Sequence, residues 1–379
     1  MDTEILVVGA GPAGLASAKT LGDAGHRVEV IDRADRVGAS WRSHYERLHL
    51  HTVKSLSSLP GMAFAPELPT YVPRQGVVDY LQAYAKRFAI APHFGAEATT
   101  IVPGARGRWV TTTADGRSFR ANAVVVTTGA NNIPFLPAIA GDDVFAGRIL
   151  HSRDYRSGAT FAGCRVLVVG MGNTGAEIAL DLSEHGATAA LSVRSPVNVV
   201  HRDVLGRPTQ KTSMALARLP TRLGDWLATF LCDVTVGDLA RLGLVRSTVS
   251  PMRQLREHGH TPVIDVGTLA RIRSGEITVY PGIAALTLTG ARFVDGRTVE
   301  VDTVVLATGY RAGIAALFPA STVPVDESGL PTRLVGEGAL AGIYFVGFDT
   351  RQAGGLLRTI GLQAEALARL VPKAAVPIV

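Results

Sequence analysis

Two segments of the chain repeat one order of apolar and polar positions. In each, a short apolar run leads into a glycine-rich turn, then into an apolar period of 3.6 residues, then into a second apolar run. Short apolar runs predict buried strands and the longer period predicts a helix, so each segment predicts a β-α-β unit. The elements fall at residues 5–8, 13–24 and 27–31 in the first segment and at 166–169, 176–185 and 189–193 in the second.

The pattern between and after these units completes a fold prediction. Apolar runs at 123–126 and 303–306 each lead into a Thr-Gly turn, and 203–262 alternates helical periods with Pro and Gly. We expect an α/β protein with two Rossmann-type dinucleotide-binding domains, one inserted into the other. The expected first domain is 1–155 with 304–379, and the second is 156–303 with a largely helical insertion at about 203–262.

Both turns carry the G-x-G-x-x-G spacing of a dinucleotide-binding loop. The first glycine permits the tight turn, the second admits a pyrophosphate, and the third lets the helix pack close, with its N-terminus facing the negative charge. Two copies in strand-turn-helix context are much stronger evidence than one. The predicted loop residues are Gly9, Gly11, Pro12, Ala13 and Gly14 in the first unit and Gly170, Gly172, Asn173, Thr174 and Gly175 in the second.

The residue that ends each second strand predicts which nucleotide is bound. Asp32, followed by Arg33, can accept hydrogen bonds from ribose hydroxyls and repels a phosphate, which suits an unphosphorylated adenosine such as that of FAD or NAD. Arg194, beside Ser195, suits the 2′-phosphate of NADPH, although a surface arginine with no such role is the alternative. A chain with both sites passes hydride from nicotinamide to flavin.

Composition excludes several other classes. The chain has 379 residues, 47% hydrophobic and 18% charged, which is typical of a soluble two-domain protein. No apolar run reaches the ~18 residues of a membrane span, the closing PKAAVPIV is too short to anchor the chain, and no secretory signal opens it. The net charge of +6 comes from scattered arginines without a nucleic-acid module. We therefore expect a cytoplasmic protein without nucleic-acid, membrane or metal partners; a homodimer is compatible with the sequence.

The fate of the reduced flavin is open at this level. Cys164 and Cys232 are 68 positions apart and form no redox-active pair, which argues against a disulfide reductase. An NADPH-dependent reductase serving another acceptor and a monooxygenase both remain.

Several motifs resemble one family. VFAGRILHSRDY (144–155) resembles the F-x-G-x-x-x-H-x-x-x-Y fingerprint of class B flavin-dependent monooxygenases, and LATGY (306–310) its second signature. Tyr155 stands where the Baeyer–Villiger branch has Trp, so the match favours the FMO and YUCCA-like branch. HTPVIDVG (260–267) is the most specific YUCCA-like element, and the resemblance extends over nearly the whole chain.

The resemblance implies FAD, NADPH and O₂ captured as a flavin C4a-hydroperoxide that inserts one oxygen atom into a small substrate. The favoured substrate is an arylpyruvate-like α-keto acid, which is decarboxylated oxidatively. Other members oxygenate nitrogen, sulfur or ketone carbon. N- and S-oxygenating members commonly place a Thr-Asn pair near the flavin, where this chain reads LHLHTVKSLS (48–57), which weakens that alternative.

The resemblance also assigns site residues. We expect Lys54 to hold a substrate carboxylate, with a solvated lysine as the alternative, and His151 and Tyr155 to form a hinge clasp between the domains, with direct catalysis as the alternative. His49 and His51 alternate with leucines, so a strand would place both on one face; we expect that face to lie near the flavin, with surface histidines as the alternative. Core packing is the alternative for Trp41 and Arg42, and a turn without ligand contact is the alternative for residues 128–132. Further expected cofactor contacts are Gly38, Trp41, Arg42, His49, Thr128, Gly129, Asn132, Thr308, Gly309 and Phe348.

Overall fold

A computed structural model describes residues 1–372. Residues 373–379, which end both the expected first domain and the closing PKAAVPIV, lie outside the described residues. The chain forms two compact units. Unit 1 comprises Met1–Arg42, Thr52–Ile133 and the chain from Tyr310 onward, and unit 2 comprises Ser43–His51 and Pro134–Gly309. Among residues 1–372, no helix combines the length and the apolar character needed to cross a bilayer.

Strands and helices alternate along both units. In chain order, the strands are β1 Asp2–Val8, β2 Val28–Ile31, β3 Ala98–Pro103, β4 Trp109–Thr113, β5 Ser118–Val126, β6 Ile133–Pro134, β7 Arg148–His151, β8 Arg165–Val169, β9 Thr188–Ser192, β10 Val199–His201, β11 Asp203–Val204, β12 Arg207–Pro208, β13 Val263–Asp265, β14 Ile277–Tyr280, β15 Ile283–Leu286, β16 Gly290–Phe293, β17 Thr298–Glu300, β18 Thr303–Leu306, β19 Tyr310–Arg311 and β20 Ile343–Phe345. The α-helices are α1 Pro12–Asp23, α2 Ala39–Arg42, α3 Arg74–Arg87, α4 Asn173–Glu184, α5 Thr209–Leu216, α6 Thr221–Val236, α7 Pro251–His258, α8 Thr268–Arg273 and α9 Leu356–Leu370.

Unit 1 is built on a six-stranded sheet in the order β2-β1-β5-β4-β3, with β20 also paired to β5. Strands β2, β1, β5 and β20 are parallel, β4 runs antiparallel to β5, and β3 runs antiparallel to β4. The two central parallel strands, β1 and β5, end in buried apolar runs at residues 5–8 and 123–126, and helix α1 packs on this sheet. The Thr20 hydroxyl of α1 donates to the Ala364 carbonyl of α9 at 2.9 Å, which fixes this helix pair.

Unit 2 has a fully parallel five-stranded sheet in the order β14-β9-β8-β18-β7, with a three-stranded antiparallel sheet, β15-β16-β17, beside it in the chain. Helix α4 packs on β8 and β9, and its apolar residues join the strand residues in one buried cluster. The parallel order places the ends of β8, β9 and β18 at one edge of the sheet, where α/β proteins bind their ligands.

The unit boundaries differ from those expected at residues 155 and 304. Strand β18 pairs with β8 on one side and with β7 on the other, so both β7 and β18 belong to the sheet of unit 2. All four β18 side chains are buried there. The segment Ser43–His51 also joins unit 2, where Tyr45 packs in the core. Sheet pairing thus places residues 134–155 and 304–309 in unit 2, although both segments were expected in the first domain.

The stretch at 203–262 contains the three helices α5, α6 and α7, together with a tight hairpin of β11 and β12. Strand β10, just before it, pairs in parallel with β13, just after it. The insertion therefore begins and ends at neighbouring strands of unit 2.

Candidate cofactor and active site

The first glycine loop lies at the end of β1 in unit 1 and is built by close backbone approach. Gly9 has φ +115°, and a Cβ atom on Gly14 would lie 1.8 Å from the Gly9 carbonyl oxygen. The third glycine is thus required by the packing of α1 against its own turn. Around Gly11 a Cβ atom would meet nothing within 4 Å, so the loop presents open space above the second glycine, as a diphosphate cradle requires.

Asp32 stands at the end of β2 beside this loop. Its two carboxylate oxygens accept backbone N–H bonds from Ala10 at 2.5 Å and Ala34 at 2.7 Å, which hold the side chain in place. A carboxylate has about four acceptor positions, so two remain for ribose hydroxyls. The next residue, Arg33, is exposed, with its guanidinium 3.8 Å from Glu97.

The second glycine loop repeats this construction at the end of β8 in unit 2. A Cβ atom on Gly175 would lie 1.9 Å from the Gly170 carbonyl oxygen, whereas nothing lies within 4 Å of one on Gly172. Arg194 and Ser195 follow β9, and both side chains are exposed. Neither forms a hydrogen bond or ion pair within residues 1–372, so the guanidinium is available to an anionic ligand.

The side chain of Asn173 is engaged by the HTPVIDVG element, and the cofactor contact expected of this residue stays a prediction. Its side-chain amide donates to the Pro262 carbonyl at 3.3 Å, and its side-chain oxygen accepts the Ile264 backbone N–H at 2.6 Å. The Thr268 hydroxyl donates to the Ala176 carbonyl of α4 at 2.9 Å. The HTPVIDVG element therefore holds the start of α4 and its glycine loop, and Asn173 acts as a positioning residue.

His151 connects the two family motifs within unit 2. Its Nδ1 accepts the Arg153 backbone N–H at 3.1 Å, so Nε2 carries the proton and donates to the Gly309 carbonyl at 3.1 Å. Burial lowers the pKa of His151 below its ordinary value, which keeps the ring neutral. The Thr308 hydroxyl donates to the Phe135 carbonyl at 2.5 Å, and Gly309 accepts the Phe135 N–H at 2.9 Å. The LATGY turn is thereby fixed on both sides.

Tyr155 lies in the core of unit 2, and its contacts support a structural role. Its side chain is fully buried, and its hydroxyl donates to an Asp181 carboxylate oxygen of α4 at 2.6 Å. Burial, together with that carboxylate, raises the pKa of Tyr155 well above its ordinary value, so the hydroxyl keeps its proton. The fingerprint glycine is explained in the same way, since a Cβ atom on Gly147 would lie 2.6 Å from the Asp302 carbonyl oxygen.

Lys54 does not offer its ammonium group to a substrate in this structure. Its Nζ donates to the carbonyls of Ala65 at 3.3 Å, Pro66 at 2.6 Å and Leu68. An ammonium has three N–H donors, and these three carbonyls use all of them. Lys54 therefore ties a loop of unit 1, and its expected role in holding a substrate carboxylate stays a prediction.

His49 and His51 do not form the expected strand. They lie in an irregular segment of unit 2, where His49 is exposed with its Nδ1 2.6 Å from the Arg47 carbonyl. His51 Nε2 pairs instead with the buried carboxylate of Glu177 on α4. Placement of His49 beside a flavin is therefore not supported by a shared strand face.

The other expected contacts of unit 1 fall into two groups. Trp41 and Arg42 form the short helix α2 after Gly38, and the Arg42 carbonyl accepts a bond from Arg74 Nη1 at 2.7 Å. Thr128 and Gly129 follow β5, and the buried Thr128 hydroxyl has no hydrogen-bond partner among residues 1–372. The remaining two are engaged by the fold: the Asn132 amide donates to the Ala312 carbonyl at 3.2 Å, and Phe348 is buried in the core.

Two buried acids on α4, Glu177 and Asp181, were missed by sequence reasoning. Both are at most 4% exposed, and they orient His51 and Tyr155 respectively. Their signal in the sequence was two carboxylates four residues apart on the apolar face of an amphipathic helix, AEIALDLSE. Buried carboxylates need such partners, so this spacing should have predicted them.

Comparison with known proteins agrees with this arrangement. A family model described as flavin-binding monooxygenase-like (FMO-like) matches residues 2–326. Indole-3-pyruvate monooxygenase YUCCA4 of Oryza sativa subsp. japonica is 38% identical over 368 residues, covering 93% of this chain and 84% of that protein. The probable indole-3-pyruvate monooxygenase YUCCA1 of Arabidopsis thaliana is 36% identical over 360 residues, covering 93% and 86%.

Solved structures show the same fold. A flavin-containing monooxygenase from Stenotrophomonas maltophilia aligns with a TM-score of 0.74 at 22% identity, covering 97% of each chain. Cyclohexanone monooxygenase in an open crystal structure aligns at 0.72 and 19% identity, covering 97% of this chain and 87% of that one. The family model and the relatives together assign the chain: it belongs to the FMO-like family of flavin-binding monooxygenases.

Proposed function

We propose that the first glycine loop and Asp32 bind FAD, that the second glycine loop and Arg194 bind NADPH, and that the enzyme oxygenates an arylpyruvate-like α-keto acid. The observation that carries the substrate class is the 38% identity to an indole-3-pyruvate monooxygenase over 93% of the chain. The HTPVIDVG element supports the NADPH part of the proposal, because this segment holds the start of α4 beside the second glycine loop.

The residues present fit both cofactors. Open space lies above Gly11 and Gly172, and the adjoining strands end in an oriented carboxylate and a free guanidinium respectively. Bound flavin supplies the capacity to accept hydride and to react with O₂. The chain supplies binding and orientation: Asp32 for ribose hydroxyls, Arg194 and Ser195 for the 2′-phosphate, and neutral His151 for the LATGY turn.

The overall reaction balances without a further oxidant. One α-keto acid, one O₂, one NADPH and one proton give the acid shortened by one carbon, CO₂, NADP⁺ and water. The bond between the keto carbon and the carboxyl carbon breaks, and one oxygen atom of O₂ enters the new carboxylate. The other oxygen atom leaves as water, reduced by the two electrons of NADPH.

A disulfide reductase activity is disfavoured by the cysteines. A bacillithiol disulfide reductase of Staphylococcus aureus has the same fold, with a TM-score of 0.70 at 15% identity. Here both cysteines are unpaired, and burial raises the pKa of the Cys232 thiol to about 11, so it stays protonated and unreactive at neutral pH.

The direct test is turnover of indole-3-pyruvate and phenylpyruvate with NADPH under ¹⁸O₂. We expect indole-3-acetate or phenylacetate carrying one ¹⁸O atom, formed in proportion to the NADPH consumed. Parallel assays with a tertiary amine and a thioether test oxygenation at nitrogen and sulfur. Oxygenation of these substrates alone would refute the keto-acid assignment, and electron delivery to dyes without any oxygenated product would favour a reductase.

A further inference from the structure

Helix α6 in the insertion of unit 2 is apolar on its exposed side as well as on its buried side. Trp226, Phe230 and Val234 are 61%, 50% and 66% exposed, and the two aromatic rings stack with centroids 5.8 Å apart. Together with Leu223, at 45% exposure, these residues form a row that we call the apolar stripe. The face that packs on unit 2 is formed by Gly224, Ala228, Cys232 and Val236.

The stripe and the buried face lie on opposite sides of the helix. Successive residues turn by ~100° around a helix axis, which puts the stripe roughly 180° from the packed face. The stripe therefore points away from unit 2. Contiguous exposed aromatic and aliphatic side chains of this kind mark an interaction surface, because solvent exposure of so much apolar area is unfavourable.

Unneutralised positive charge adjoins the stripe along the chain. No acidic residue occurs between residues 204 and 224, whereas four cations do. All four are exposed, and none forms an ion pair within residues 1–372. The acids on α6 itself are already paired, Asp225 with Arg256 and Asp233 with Arg246. The four cations are Arg207, Lys211, Arg218 and Arg222.

We propose that α6 is a peripheral membrane-docking helix that lies along an anionic lipid surface with its apolar stripe in the headgroup region. An exposed apolar face rich in aromatic residues, bordered by cations, is the pattern of helices that bind in the plane of a membrane interface. Tryptophan favours that interface because its ring is large and its N–H is polar. The proposal revises the sequence expectation of no membrane partner, and it is independent of the substrate assigned above.

Charge favours lipid over a second copy of the chain. In a contact between two copies, the four cations would need carboxylates, yet Asp225 and Asp233 in the stripe's own helix are engaged. Anionic headgroups supply that charge in any orientation. Each cation near such a surface strengthens binding by about fivefold.

The test is sedimentation of the full-length holoenzyme with sucrose-loaded vesicles of phosphatidylcholine, with or without about 30% phosphatidylglycerol, an anionic lipid that attracts basic segments. The variants are Trp226→Ser with Phe230→Ser, and Arg218→Gln with Arg222→Gln. A matched control replaces two equally exposed apolar residues elsewhere in unit 2, Leu288→Ser with Val294→Ser, which are 64% and 69% exposed. All substitutions are at exposed side chains, and equal melting temperatures confirm folding.

We expect binding to the anionic vesicles that weakens with added salt. The aromatic variant should bind the anionic vesicles at least about tenfold more weakly than wild type does. The arginine variant should also bind roughly tenfold or more weakly, and the control should bind like wild type. Absence of binding to anionic vesicles, or unchanged binding by the aromatic variant, would overturn the proposal. A concentration-dependent dimer in ultracentrifugation that the aromatic variant abolishes, without vesicle binding, would assign the stripe to a second copy instead.

Discussion

Replacement of Tyr155 by Phe separates a structural role of the fingerprint tyrosine from a catalytic one. The change removes one buried hydrogen bond, 2.6 Å long, from the hydroxyl to the Asp181 carboxylate. The ring keeps its stacking on Phe161, with centroids 5.6 Å apart. Asp181 keeps the Gly158 backbone N–H at 2.8 Å, so the carboxylate is not left without a donor.

The expected cost follows from these contacts. A hydrogen bond to a charged group contributes about 1.5–3 kcal/mol, and partial compensation by Gly158 places the loss near ~2 kcal/mol. For a domain of this size, that loss lowers the melting temperature by roughly 4–8 °C. The turnover number with NADPH, measured well below the transition, should stay within about twofold of wild type.

The assay pairs thermal unfolding with steady-state kinetics, and Tyr344→Phe is the control. Tyr344 is buried in unit 1, and its hydroxyl makes no hydrogen bond within residues 1–372. We expect a smaller effect on melting there. A turnover number reduced ~100-fold in Tyr155→Phe, with an unchanged melting temperature, would refute the structural role and restore Tyr155 to the chemistry.

Four further predictions test the cofactor sites and the residues Lys54 and His151. Arg194→Gln should lower kcat/KM for NADPH roughly ten- to hundredfold and leave that for NADH nearly unchanged, since a charge-assisted phosphate contact contributes about 1.5–3 kcal/mol; equal use of both nucleotides by wild type would contradict its role. Gly11→Ala should weaken FAD binding, measured by flavin fluorescence, without unfolding the apoprotein, whereas Gly22→Ala, equally open but on the body of α1, should not. Lys54→Met should lower the melting temperature with little change in KM for the keto acid, because Lys54 ties a loop of unit 1. A raised KM at unchanged melting temperature would instead indicate that Lys54 holds the substrate carboxylate. The pKa of His151 in the folded protein lies below its ordinary value of 6.5, so the unfolded chain takes up a proton at a higher pH than the folded chain does. The contribution of His151 to the free energy of unfolding is therefore complete above about pH 6.5 and decreases as the pH falls below that value. Between about pH 7.5 and 5.5, the melting temperature of His151→Gln should fall less than that of wild type.

The two β-α-β units were predictable because strands, glycine turns and helices follow one another locally. Gly14 and Gly175 are dictated by contacts within a few residues, so the spacing alone indicated them. The unit boundaries were not predictable in this way. Pairing of β18 with both β7 and β8 joins residues more than 130 positions apart, and no local pattern encodes such partners.

The site residues also differ in whether local sequence was enough to predict their environment. Asp32 and Arg194 were identified from their position at a strand end, and the structure leaves both able to meet a ligand. Three other residues have side chains suited to ligand contacts but are engaged by the fold. Lys54 donates to backbone carbonyls, Asn173 bonds to strand β13, and Tyr155 donates to the buried carboxylate of Asp181. Residue type indicates what a group is able to bind, whereas the tertiary contacts decide whether it is free to do so.

Rapid mixing distinguishes an enzyme in which NADPH reduces a bound flavin for oxygenation from one that passes the electrons to another acceptor. Enzyme reduced anaerobically by NADPH is mixed with O₂, and the flavin absorbance is followed without substrate. We expect a transient band at shorter wavelength than that of oxidised flavin, and we expect this band to last longer with NADP⁺ bound than after reduction by dithionite. Direct return to the oxidised spectrum under every condition, together with fast electron transfer to a dye, would contradict this expectation.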